Sequence, residues 1–218
     1  MNSLKTIDLS QYIYPGMPVY PGTEAPIFEQ ANTLEQDGFI EKKITFFSHT
    51  GTHMDAPAHI IKEGKTLDQF DVSQFLGEGM VLEVDNTRRA TIDLDYISTF
   101  ENRIKIIDFI ILKTGWDQYW GNDQYFSQYP VLSPEAATWL ANFTNLKGIG
   151  IDAISIDKEG DRMLTNHHIF LKNNIVIIEN LTNLEPLINK SFLFSCLPMK
   201  IENADGSPIR AVGTVCLN

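Results

Sequence analysis

Five histidines occur in this chain of 218 residues, and three of them fall within one eleven-residue window. The window reads His49-Thr50-Gly51-Thr52-His53-Met54-Asp55-Ala56-Pro57-Ala58-His59. The other two, His167 and His168, are adjacent. Histidines placed for unrelated structural reasons would be scattered, so the crowding implies a shared task. Neutral imidazole and carboxylate are suitable ligands for zinc, manganese or iron. His49 and His53 are four residues apart, as in a helical zinc motif. Gly51, the β-branched Thr50 and Thr52, and Pro57 argue against a helix here, and Thr50 replaces the glutamate that a zincin places beside its first histidine. A tight turn at Gly51 would instead bring His49 back beside His53. In an extended segment His53 and Asp55 project to the same side, because side chains alternate. Three convergent ligands would then leave positions for water and substrate. The opposing reading is that these histidines cap turns or pack in the core; four potential ligands in one window favour a divalent metal.

The surrounding elements must position these groups. Ile40 to Ser48 alternates, with Ile40, Ile44 and Phe46 on one side and Glu41, Lys43 and Thr45 on the other, so a strand is expected to deliver the chain to His49. Gly79–Val84, Phe109–Leu112, Ile149–Ile151, Ile175–Ile178 and Phe192–Leu197 are short apolar runs without polar alternation, which suits strands buried on both faces. Ser133-Pro134-Glu135 is a helix start, with a capping hydroxyl, proline at the first helical position and an acid in the first turn. Ala137, Leu140 and Ala141 give that helix a buried stripe. Asp68 to Leu76 is a weaker helix candidate, and Asp205-Gly206 reads as a hairpin turn. Tyr14 to Gly22 is a string of turn signals and suggests a loop or arm. The expected class is α/β, strand-rich, with several antiparallel pairs, in a single domain spanning residues 1–218.

Composition narrows the partners. Lys and Arg number 17 against 28 Asp and Glu, a net charge of −11. Such a surface repels phosphate backbones and anionic lipid, so nucleic acid and membrane surfaces are not expected. No apolar run approaches the roughly 18 to 20 residues of a membrane span. The opening residues lack the apolar core of a secretion signal. Cys196 and Cys216 are the two cysteines, with no C-x-x-C pair. No disulfide framework is expected, and the cytoplasm is the expected location.

The window resembles the H-x-G-T-H-x-D-x-P-x-H signature of the cyclase family of metal-dependent hydrolases, which includes bacterial kynurenine formamidases and isatin hydrolases. The resemblance runs over nearly the whole chain, through Asp8-Leu9-Ser10, Pro18–Gly22, Lys113–Trp116, Leu132–Ala137, Gly150-Ile151-Asp152, Asn166-His167-His168, Ile178-Glu179 and Asp205–Arg210. It implies the swivelling β/β/α fold of that family. It also implies that His49, His53 and Asp55 hold one metal, that Asp55 bridges to a second held also by His167 and Glu179, and that His59 is the catalytic histidine. The isatin hydrolases hold a single manganese, so the resemblance implies zinc or manganese, one or two ions per subunit. Tyr20 falls where a tryptophan commonly lines the substrate pocket, Ala153 where threonine is frequent and Lys158 where proline is usual. Family members are usually dimers or larger, so a homodimer or higher homo-oligomer is expected.

A divalent metal lowers the pKa of water from about 15.7 towards about 7 and polarises a carbonyl oxygen. The expected reaction is hydrolysis of an amide or formamide bond of a small, aromatic substrate, arylformamidase-like, with His59 moving a proton to the leaving nitrogen. One alternative is hydrolysis of a cyclic amide, imide or lactone at the same site. An alternative of another class is a non-catalytic metal- or ligand-binding protein. The aromatic segment Trp116 to Tyr129 has three open readings: a pocket cover, an oligomer contact or ordinary loop packing.

Overall fold

The apolar runs become the centre of one mixed sheet. A computed structural model describes residues 3–84 and 90–217. In chain order its strands are β1 (Ser3–Asp8), β2 (Ile27–Asn32), β3 (Glu41–Thr45), β4 (His53–Asp55), β5 (Leu76–Glu83), β6 (Thr91–Ile92) and β7 (Phe109–Lys113). They continue with β8 (Val131–Leu132), β9 (Gly148–Ile151), β10 (Val176–Glu179), β11 (Phe192–Ser195), β12 (Gly206–Pro208) and β13 (Val212–Leu217). Nine of them form one sheet in the order β1-β13-β11-β5-β7-β9-β10-β4-β12. The centre is parallel: β5, β7, β9 and β10. Antiparallel strands extend it on both sides, β4 and β12 beyond β10, and β11, β13 and β1 beyond β5. The class is α/β, as expected.

Parallel strands carry crossovers over their faces and so are buried twice. Met80 and Leu82 of β5, Ile110 and Leu112 of β7 and Ile177 of β10 enter one apolar layer. Their neighbours Val81, Phe109, Ile111, Val176 and Ile178 enter the other. This is why those runs show no polar alternation. The helices are α1 (Leu34–Asp37), α2 (Leu94–Ser98), α3 (Glu101–Ile104), α4 (Pro134–Ala141) and α5 (Thr165–Lys172). α4 starts as its sequence predicts: the Ser133 hydroxyl accepts from the Ala136 amide and Pro134 opens the first turn. Its buried residues are Ala136, Ala137 and Leu140, with Ala141 half-buried beside them.

One local expectation is refined and two are corrected. The alternating run from Ile40 forms β3, which does lead to His49, but it pairs with β2 in a separate two-stranded hairpin. Both its faces are exposed, Ile44 included at 47%. The Asp68 to Leu76 segment is two 3-10 turns, Leu67–Gln69 and Val72–Phe75, rather than a helix. Phe70 and Asp71 are extended between them, and the Asp71 carboxylate accepts from the Ser73 amide. That local bond competes with helix propagation and starts a new turn. Asp205-Gly206 is not the hairpin turn: the reversal lies at Asn203, which takes a φ of 57°, and Gly206 begins β12. α5 had no recognisable start, because Leu164, a residue without a capping group, occupies its N-cap.

Gly148 sets the spacing of the central strands. A Cβ there would lie 2.8 Å from the Phe109 ring on one side and 3.0 Å from Val176 on the other. Overpacking of this kind costs about 1–3 kcal/mol. Gly148→Ala is therefore expected to lower the urea midpoint by that free energy with an unchanged slope. An unshifted midpoint would show that β7 and β10 yield to the added methyl.

Candidate metal centre

Gly51 makes the first half of the site. Its φ of 64° is left-handed, open to glycine without strain. The turn folds the chain so that the His49 and His53 rings lie 5.2 Å apart. β4 follows, with His53 and Asp55 on one face and Met54, fully buried, on the other. His53 Nε2 is 3.3 Å and His49 Nδ1 is 2.6 Å from Asp55 Oδ1. The turn and the two-residue alternation thus bring both imidazoles within reach of the Asp55 carboxylate.

β10 supplies the second half. It lies antiparallel to β4, with Glu179 opposite His53. The Glu179 carboxylate ends a parallel strand, the end at which open α/β sheets hold their ligands. Oε2 is 3.5 Å from His53 Nε2, and Oε1 is 3.4 Å from His167 Nε2. The Ile156 amide donates to Oε1 at 2.8 Å and fixes the carboxylate. His167 enters from the first turn of α5, 3.2 Å from Asp55 Oδ2. His53, Asp55, His167 and Glu179 are all buried. His168, on the same helix, is exposed.

Two aspartates act where the sequence showed no role. Asp157 accepts from the Asn166 and His167 amides, at 2.6 and 3.2 Å, and so caps α5 in place of Leu164. Its Oδ2 also takes His167 Nδ1 at 2.6 Å, leaving Nε2 for the cluster. Asp205 lies 3.1 Å from His49 Nε2 and 3.8 Å from His59 Nδ1. The pairing exists because Gly206 lies against the imidazole: a Cβ there would come within 2.5 Å of His49 Cε1. The glycine that looked like a turn signal is a close-approach position. Asp157 precedes His167 by ten residues and Asp205 follows His49 by 156, so no spacing rule could pair them. The aromatic segment braces the site from beneath. Trp116, Tyr125 and Tyr129 are core residues. The Tyr125 hydroxyl donates to Asn180 at 2.7 Å, and Asn180 donates to the Gly51 carbonyl, which also takes His53 Nδ1 at 2.8 Å.

Charge at the cluster is unbalanced. Burial and the neighbouring Asp55 charge push Glu179 up to about 7. Burial opposes the charge on His49, but Asp55 and Asp205 outweigh it and raise the imidazole to about 9. Burial lowers His59, whose ring stacks 4.0 Å from that of His49. Asp55 Oδ2 is buried and accepts no hydrogen bond. An orphaned carboxylate oxygen among imidazole nitrogens is what a divalent cation satisfies. The donor atoms sort into two groups sharing Asp55: His49, Asp55 and His59, and His53, Asp55 and Glu179. Both fit one cation each in donor type. The grouping puts His59 among the donors, and pairs His53 with Glu179 rather than with His49.

The cluster forms the floor of a cavity of about 790 Å³, in the size range of small-molecule pockets. Tyr20, Val19 and Phe47 line its walls, with Tyr20 half-exposed. The sequence profile of the cyclase family matches residues 7–158. The chain belongs to the cyclase family. A kynurenine formamidase of Bacillus thuringiensis is 30% identical over 97% of this chain and 98% of its own. A protein of Methanocaldococcus jannaschii with no assigned activity is 34% identical over 96% and 98%. Isatin hydrolase A from Labrenzia aggregata superposes with a TM-score of 0.88 at 22% identity, over 98% of this chain and 94% of that one. The curled mixed sheet with dispersed helices is the swivelling β/β/α fold of the family. Donor cluster and family fold together support a metal-dependent hydrolase of small amide or cyclic substrates. No helix among the described residues is long and apolar enough to cross a membrane.

Gly206→Ala tests the His49 placement without touching a donor. The methyl displaces the ring, and loss of a supporting arrangement typically costs 10- to 100-fold in metal affinity. Calorimetric titration with zinc and with manganese should show a loss of about that size. Unchanged affinity in the folded variant would remove His49 from the ligand set.

Proposed function

We propose that this protein is a metal-dependent hydrolase that opens a small cyclic amide, imide or lactone. The observation that carries the reading is Asp55, a buried carboxylate between two imidazole-bearing groups, with one oxygen left without a hydrogen bond. His49, His53 and Asp55 would hold one ion, and Asp55, His167 and Glu179 a second where two are bound. Zinc and manganese both suit imidazole and carboxylate. A cation bound there supplies a water of lowered pKa and a polarised carbonyl.

The chain's own residues account for the rest. His59 lies on the cavity wall beside His49. Its imidazole takes the proton released as water adds to the carbonyl carbon and returns it to the leaving nitrogen or oxygen. Asp205 lies 3.8 Å from His59 Nδ1, beyond hydrogen-bond reach, so the ring has no fixed acceptor. Val19, Phe47 and Tyr20 give the cavity an apolar, aromatic side that receives a planar ring and displaces water from it. The ring C–N or C–O bond breaks, water supplies the new acid oxygen, and one open-chain product leaves.

The superposition with isatin hydrolases over 98% of the chain supports ring opening. So does a phenol at Tyr20 in place of a tryptophan indole. The identity to kynurenine formamidase favours a second reading, hydrolysis of an arylformamide such as N-formylkynurenine with release of formate, a step of tryptophan catabolism. A homodimer or larger assembly belongs to the proposal, supported by Ile27, Ile40 and Ile44 exposed on the β2–β3 hairpin. Sedimentation at micromolar concentration is expected to show the assembly, and a monomer throughout would remove it.

The deciding experiment offers isatin, simple lactones and N-formylkynurenine to protein reconstituted separately with zinc and manganese. Turnover of a cyclic member, abolished by chelation and restored by metal, is the expected result. Preference for N-formylkynurenine selects the second reading. No turnover at full metal occupancy would leave a non-catalytic binding protein. His59→Ala should keep its metal and lose about 10²–10⁴-fold in kcat, the usual weight of a general acid–base group. Loss of metal in that variant would make His59 a ligand instead.

A further inference from the structure

The cavity wall carries a cation that the proposed hydrolysis does not use. Arg162 lines the same cavity as the donor cluster and is the one Lys or Arg among its described lining residues. Every other ionised group there is acidic or a histidine, with Asp55, Asp161, Glu179 and Asp205 supplying the carboxylates. Arg162 is exposed, and among the described residues no carboxylate lies in ion-pair range of it.

The local sequence offers partners and the fold turns them away. Asp161, the adjacent residue, spends Oδ1 on the Met163 amide at 2.8 Å and Oδ2 on the Thr165 amide at 3.3 Å. Glu159 Oε2 faces the Gln128 amide at 3.4 Å. Asp157 is committed to α5 and His167. The loop is therefore braced at both ends while its guanidinium stays unneutralised. Leu164, also on the cavity wall, takes a φ of 47°, a left-handed conformation strained for leucine. Such strain persists where surrounding contacts overdetermine it. Here the aspartate bonds hold the loop between Arg162 and the helix of His167.

We propose that Arg162 recognises an anionic group of the substrate, and that the substrate is a small acyl compound bearing a carboxylate away from the bond that is cleaved. The inference rests on the hydrolase reading for the fate of the substrate, but not for its binding. A chain of net charge −11, with four carboxylates around one cavity, repels an anion unless a local cation offsets them. Guanidinium meets a carboxylate through two parallel N–H bonds, which fixes orientation as well as affinity. An anion held at the wall would direct the rest of the molecule to the cluster on the floor.

Two probe pairs test this on the metal-loaded protein. Phthalimide and 4-carboxyphthalimide report turnover; benzamide and 4-carbamoylbenzoate report binding by calorimetry without turnover. The native chain should bind and turn over the carboxylate member at least about tenfold better than the neutral one, the scale of one charge-assisted hydrogen-bonded pair. R162Q should collapse that preference, through KM rather than kcat, and R162K should restore part of it. Equal losses on both members, an undiminished preference in R162Q, or no preference in the native chain would each overturn the proposal. A carboxylate bound by the metal alone would keep its preference in R162Q. If the native chain turns over neither imide while R162Q still loses carbamoylbenzoate binding, imides drop out of the proposed substrates and Arg162 as the anion site stands.

Discussion

The structure depends on one buried carboxylate. Asp55 sits at the meeting point of three imidazoles, with 1% of its surface exposed, and one of its oxygens has no hydrogen-bond donor. Burying an ion costs several kcal/mol unless its partners are well placed. Four buried ionisable groups at one point multiply that cost, and two of them, Asp55 and Glu179, repel each other. Burial and that repulsion together lift Glu179 to about 7. A divalent cation reverses the balance by supplying the positive charge that both carboxylates need and by taking the imidazoles as neutral donors. The sheet around the cluster makes sense as a means of holding these groups together against their own desolvation.

Two strands carry most of that burden. β4 is three residues long, paired with β10 on one side and β12 on the other. Met54 anchors it in the core while His53 and Asp55 face the cavity. β10 is apolar for three residues and then ends on Glu179, so the carboxylate lies where the sheet stops and the cavity begins. β12 brings Gly206, and with it Asp205, against His49. Three strands that are neighbours in the sheet, and distant in sequence, thus deliver four of the polar groups at the site: His53, Asp55, Glu179 and Asp205.

What the sequence disclosed follows from the range of the interactions. His49, His53 and Asp55 were legible because a glycine turn and strand alternation act within a few residues. The central strands were legible because burial on both faces leaves an unbroken apolar run. Asp68 to Leu76, the weaker helix candidate, misled because Asp71 forms a local bond that interrupts the helix. α5 was invisible because its cap comes from Asp157, seven residues before the Leu164 N-cap, not from the cap position itself. Ile44 of β3, and Ile40 just before it, show the opposite failure. Alternation there marks the strand, but both faces of that strand are exposed among the described residues.

Each imidazole has two nitrogens, and the fold assigns one of each to a fixed acceptor. His53 gives Nδ1 to the Gly51 carbonyl, and His167 gives Nδ1 to Asp157. Both therefore present Nε2 to the carboxylates of Asp55 and Glu179. His49 is turned the other way: Nε2 goes to Asp205 and Nδ1 faces Asp55. Such outer contacts fix the tautomer and raise the donor strength of the nitrogen left over. His59 differs from all three, since its nearest carboxylate is 3.8 Å away, beyond hydrogen-bond reach. A ring without a fixed acceptor is poorly suited to hold an ion and well suited to exchange a proton. The difference in how the four rings are tethered, rather than their spacing in the motif, supports three as ligands and the fourth as the proton carrier.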